Sequence, residues 1–291
     1  MKKIWFILLA GLLALSACAP VQPATTTGPG VETIVAATLQ ALTAAAPVVP
    51  PTPTLPNGIV ISFQNTSFVI PTGLATNALS GTVPAVVGSQ DGPGWDVAPE
   101  SVKFQLENYA LYNTFHEAYI LVYPAQEYAA VNEGASRSIA QLQAILSGSA
   151  APTPENLPHV AFFNAGQVFA AQIQIVQFKS GSGVRFLTEY AQYYATANNN
   201  DLFYEFQGLT SDGKYYILAI LPASHPLLAP DADPASPVPA GGIPFPGFDD
   251  QNAIEAYYPA VTNLLNTAAP ESFNPALPLL DALIQSISIA P

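Results

Sequence analysis

Residues 101–107, SVKFQLE, alternate without a break: Val102, Phe104 and Leu106 fall on one side, Ser101, Lys103, Gln105 and Glu107 on the other. A period of two over that length predicts a strand with one face buried and one in water. Residues 118–124, AYILVYP, are apolar on both sides, which predicts a covered central strand ended by its proline. The segment GIVISFQNTSFVIP upstream supplies one or two more strands. The period then changes. Tyr128, Val131, Ala135, Ile139, Leu142, Ile145 and Leu146 recur at intervals of three and four, the apolar stripe of one helix. The run SGSAAPTPENLPH breaks it.

Two hairpins follow. AQIQIVQF and VRFLTEYAQ flank KSGSG, whose glycines permit a tight reversal, and a slip of the alternation at Ile175–Val176 predicts a bulge. LFYEFQGL and YYILAILP flank TSDGK, where Asp212–Gly213 is a strong hairpin signal. Two helical stripes close the chain. Ile254, Tyr258, Val261, Leu265 and Ala268 form one, behind an Asp249 or Asp250 cap; Leu277, Leu280, Ile284 and Ile287 form the other, with Asn274 as cap and Pro275 at the first position. This order predicts a single α+β domain over residues 58–291, an antiparallel sheet packed by helices. The order, with the final LPLLDALIQSI helix, resembles the PsbP-like fold of photosystem extrinsic subunits and some bacterial lipoproteins. That resemblance implies a sheet between helices and fixes no function.

The first residues read differently. Lys2 and Lys3 precede an apolar core of about a dozen residues, then Ser16, Ala17 and Cys18, the layout of a secretory signal. The core is short of the ~20 residues a spanning helix needs. Leu15–Ser16–Ala17–Cys18 resembles the lipobox of bacterial lipoproteins. The resemblance implies removal of residues 1–17, a diacylglycerol on the Cys18 thiol and usually a further acyl chain, and therefore a permanent anchor at the cell envelope. Ala19 rather than aspartate after the cysteine implies the outer membrane where there are two membranes. Residues 18–57, rich in Pro, Thr and Ala, read as a tether reaching on the order of 130 Å when extended. Within it, residues 31–46 suit either a short helix or a flexible spacer.

Composition narrows the function. Two of the seven Lys and Arg lie in the signal, leaving five against 20 acidic residues. Without a basic footprint, nucleic acid is excluded as a partner, and so is a polybasic headgroup contact. Cys18 is the only cysteine, so the folded part carries no disulfide, thiol chemistry or cysteine-ligated metal. His116, His159 and His225 lack zinc-helix spacing, and His116 and Glu117 point to opposite faces of a strand. No nucleophile elbow, phosphate loop or dinucleotide fingerprint occurs, and adjacent Ser224–His225 are not how triads form. Glu189 and Glu205, on adjacent strands, are a candidate carboxylate pair, but their alternation with apolar neighbours reads as a solvated face. No metal and no cofactor is expected.

Three stretches are candidates for recognition. SQDGPGWDVAPE places Trp95 in a turn between Asp91 and Asp96, either as a ligand platform or as a plug at the core's edge. Tyr190, Tyr193 and Tyr194 with Asn198, Asn199 and Asn200 form a neutral hydrogen-bonding group, or core tyrosines and a turn. Residues 227–248 are a proline-rich excursion, a lid, a partner contact or a tolerated insertion. The sequence therefore points to a lipid-anchored, noncatalytic binding or assembly module outside the cytoplasm, contacting an envelope protein. The alternative is a binder of a small neutral ligand, a glycan or lipid. A hydrolase built on the histidines is the third reading.

Overall fold

The computed structural model describes residues 57–88 and 94–291. Cys18, the tether with its 31–46 segment, and Asp91 lie outside these. β1 (Gly58–Phe63) and β2 (Thr66–Pro71) pair through a two-residue turn in which Gln64 takes a left-handed φ of 51°. The short β10 (Ser288–Ile289) adds to the other edge of β2. The remaining strands form one antiparallel sheet. They are β3 (Asn77–Val83), β4 (Ser101–Glu107), β5 (Tyr119–Pro124), β6 (Gly166–Phe178), β7 (Gly181–Ala191), β8 (Phe203–Thr210) and β9 (Tyr215–Pro222). Their order is β3-β4-β5-β9-β8-β7-β6. The chain meanders from β3 to β5, crosses to the far edge, and returns strand by strand until β9 closes against β5.

Both faces of this sheet are covered. On one, α1 (Ala125–Val131) and α2 (Glu133–Leu146) lay Tyr128, Ile139 and Leu142 over Phe186, Phe203, Leu218 and Ile220. On the other, α3 (Gln251–Thr267), α4 (Leu277–Gln285) and β2 pack Val261, Leu265, Leu280 and Phe68 against Phe104, Phe206, Ile217 and Leu221. The described residues thus form a single α+β domain whose sheet is packed by helices.

Local chemistry explains most boundaries, and several differ from the expectation. The helical stripe from Tyr128 is broken into two helices at Asn132, whose extended backbone lets its side chain accept from Ala135 N and cap α2; Val131 consequently ends up exposed. The β6 ladder is irregular at two places, Gln167–Phe169 and Ala171–Gln174, rather than at Ile175–Val176. In the second of these, Gln172, at φ 55°, turns out of the ladder and donates to the carbonyls of Leu265 and Ala268 at the end of α3. Asp250 caps α3 through Asn252 N and Ala253 N. α4 starts later than expected, with Ala276 at its cap. Asn274 pairs instead with Ser224, and the Asn274–Pro275 peptide is cis. The 227–248 excursion is held to the core by Leu228, Ala229 and Phe245.

The glycines of KSGSG lie inside β7, beyond a reversal made by Lys179 and Ser180. Their role is space. A Cβ on Gly183 would stand 2.3 Å from the Gln207 carbonyl oxygen and 2.5 Å from the Phe206 ring. Gly183→Ala is expected to destabilise by about 3 kcal/mol, the upper end for overpacking, because backbone must move. That corresponds to a thermal midpoint lowered by roughly 6–12 °C for a domain of this size. A shift under 2 °C would mean the sheet opens freely at that point.

Candidate functional site

The register places the starts of β5, β6 and β8 and the ends of β7 and β9 at one end of the sheet. Loops 108–118, 157–165, 192–202 and 223–250 therefore gather there. Phe115 N donates to Asn200 O at 2.8 Å, tying the first of these loops to the third. Gln192 Nε2 donates to Asn164 O at 2.6 Å, tying the third to the second. His159 sets the shape of the second, its two ring nitrogens lying 2.9 and 2.8 Å from the carbonyls of Val160 and Ala165. Asn198 organises the third loop. Its amide oxygen accepts from Asn200 N and Asp201 N, its Nδ2 reaches Asp201, and its own N–H donates to Glu189 Oε1 at 2.7 Å.

These loops border a cavity of about 480 Å³, open to solvent on one side and lined by Trp95, Phe115, His116, Phe163, Tyr190, Tyr193 and Asp201, with Asn164 and Gln192 among its polar groups. His116 is packed in aromatic rings. It stacks on Phe163 (centroids 5.3 Å, planes 27° apart) and meets Phe203 and Phe115 edge-on at 4.6 and 4.9 Å. Burial pushes its imidazole down to about 4, against the opposing pull of Asp201. The ring is neutral at pH 7 and offers one donor and one acceptor. Among the described residues neither ring nitrogen has a hydrogen-bond partner.

Trp95 comes from the opposite end of the sheet. Asn132, the cap of α2, also donates to the carbonyls of Trp95 and Val97, so one buried amide starts the helix and pins this loop. Trp95 and Phe163 line a second cavity as well, of about 730 Å³, whose other wall is α2 with Arg137 and Gln141.

Of the residues singled out in the sequence for recognition, the fold brings Trp95, Tyr190 and Tyr193 into one cavity. Asp96 lines a separate space of about 290 Å³ near Lys103 and Tyr119. Tyr194 stacks on Tyr258 at 6.3 Å. Asn199 is occupied by the fold: its Nδ2 donates to His225 O and Leu228 O, and its Oδ1 accepts from His225 N. His116, Phe163 and Asp201 join the site without having been singled out as contacts. Adjacent Phe162 and Phe163 in a turn-rich segment were the one available signal, since a loop has little other reason to hold two large rings.

The catalytic alternatives find little geometry. Glu189 and Glu205 are both buried, not solvated, and an odd spacing from their paired positions puts them on opposite faces of the sheet. They cannot flank one bond. His225 Nε2 lies 3.2 Å from Ser272 Oγ, but its Nδ1 faces the N–H of Leu227 where a triad would place a carboxylate. Ser224 Oγ donates to Asn274 O. Among the described residues no three His, Cys, Asp or Glu side chains converge to hold a metal ion. No helix among them is long and apolar enough to cross a membrane. Neither a protein-family model, nor a curated protein, nor a solved structure matches this chain.

Proposed function

We propose that this protein is a lipid-anchored, noncatalytic binding protein of the cell envelope that holds a small neutral ligand in the aromatic cavity at the loop end of its sheet. The anchor rests on Leu15–Cys18, and the tether that follows would hold the domain clear of the lipid surface. One observation carries the choice of ligand over protein partner: a cavity of about 480 Å³ walled by aromatic rings around a neutral imidazole. That volume is the size of a small-molecule site, and its mix of many rings with a few convergent polar groups is the usual composition of one. A neutral donor–acceptor pair suits hydroxyl and amide groups better than ions.

Trp95 provides the probe. The other tryptophan, Trp5, lies in the signal, so a mature chain beginning at Cys18 emits from Trp95 alone. A panel of neutral glycans and glycolipids is expected to contain a ligand that shifts this emission and raises the thermal midpoint. At 100 times Kd the stabilisation is about 2.7 kcal/mol. Trp95→Ala should weaken binding, read by calorimetry, at least tenfold. If instead an envelope protein copurifies and needs the Trp95 loop while no panel member binds, the site is a protein interface and the ligand reading fails.

A further inference from the structure

The site is larger than one small molecule. The cavities of about 480 and 730 Å³ share Trp95 and Phe163, so these two rings form a ridge between two chambers. Together the chambers exceed the ~1,000 Å³ that bounds ordinary small-ligand pockets. A ligand confined to one of them would leave half of the available surface wet.

Resting on the reading of the cavity as a neutral-ligand site, we infer that the ligand is an oligosaccharide long enough to cross the Trp95–Phe163 ridge and occupy both chambers. The lining decides the class. Both linings combine rings with hydrogen-bonding side chains: Asn164, Gln192, Asp201 and His116 in the first chamber, Gln141, Arg137 and Glu133 beside Trp95 and Phe163 in the second. A sugar ring presents an apolar C–H face and a rim of hydroxyls, and satisfies both kinds of wall. An acyl chain would strip water from those amides and return nothing, at about 1–3 kcal/mol for each group left unpaired. A peptide binding by strand addition needs an open strand edge. Tyr190 and Ala191, the strand residues at the cavity, are paired with β6, and beyond the last β8 partner at Thr188 only three residues of β7 leave an open edge, too short to seat an added strand.

The test uses the mature lipoprotein in lipid nanodiscs, free of glycoside detergent. Two ladders of one to six units, β-1,4-linked glucose and β-1,4-linked N-acetylglucosamine, are titrated by calorimetry and Trp95 emission. For at least one ladder, affinity is expected to rise tenfold or more between the dimer and the tetramer or pentamer, then level off. Gln141→Ala, in the far chamber, should weaken the long oligomers more than the dimer, whereas His116→Ala should weaken every length. Equal affinity for short and long members overturns the two-chamber inference but leaves the neutral-ligand site standing. No response to either ladder overturns the oligosaccharide assignment. A response to oleic acid or to a proline-rich peptide in its place assigns the ridge to another class and overturns it as well.

Discussion

Asp281→Ala is expected to cost about 3–5 kcal/mol of folding free energy. Arg185, on β7, is nearly inaccessible at 3 % side-chain exposure, and its Nε lies 3.2 Å from Asp281 Oδ1 on α4. Its other nitrogens reach only neutral acceptors besides that carboxylate, the carbonyl of Gln172 and Oε1 of Gln174. Removing Asp281 therefore leaves a cation inside the protein with no opposite charge beside it. The same carboxylate accepts from Tyr204 at 2.8 Å, so the pair also ties α4 to two central strands. Burial pushes the Asp281 carboxyl above its ordinary range, with Arg185 and Tyr204 pulling it back. The double change Arg185→Met with Asp281→Leu should recover most of the loss, because it removes both desolvated charges together. Urea unfolding of Arg185→Met, Asp281→Leu and the double variant gives the coupling energy directly. A loss under 1 kcal/mol for Asp281→Ala would show that water reaches the pair.

Glu205→Gln should make the protein more stable than the parent at pH 8 and indistinguishable from it near pH 4. Glu205 is fully buried on the face covered by α1 and α2, and desolvation raises its carboxyl from 4.5 to about 8, against hydrogen bonds from Gln207 and Tyr190. Gln207 donates to Oε1 and accepts from Tyr216, while Oε2 has no well-aligned partner among the described residues. The folded state thus holds a proton that the unfolded chain releases near pH 4.5. Stability falls as pH rises from about 4.5 to about 8 and is flat in this term outside that window. The expected difference between the two proteins grows across the window to on the order of 3–5 kcal/mol. Glu189 and Asp281 are shifted in the same direction and leave some slope in the variant. Thermal midpoints of both proteins at half-unit steps of pH would show it. Parallel curves would mean that Glu205 is ionised and paired at neutral pH.

Some of this domain was legible residue by residue. The alternation of β4, the covered run of β5, the Asp212–Gly213 reversal and the Asp250 cap are local signals, settled by backbone geometry within a few residues. What failed were readings that needed a neighbour from elsewhere in the chain. Gly181 and Gly183 look like turn glycines until Phe206 and Leu209 are set beside them on β8. Gln172 looks like an ordinary strand residue until the end of α3 arrives with unpaired carbonyls. The candidate site was half legible. Trp95, Tyr190 and Tyr193 were visible as aromatics in or beside loops, whereas His116, Phe163 and Asp201 become a site only because four loops meet at one end of the sheet.

By itself the sequence determined the α+β class, most strand and helix positions, the thiol-free fold and the acidic balance of the chain, because periodicity, capping and charge act over short range or over the whole chain at once. The tertiary structure alone decided the strand order, the burial of Glu189 and Glu205 on opposite faces, the Arg185–Asp281 pair and the two chambers across Trp95. A period of two says which side chains share a face. It cannot say whether a helix a hundred residues away will come to cover that face, and that covering turned polar strand positions into buried ones and distant loops into one cavity.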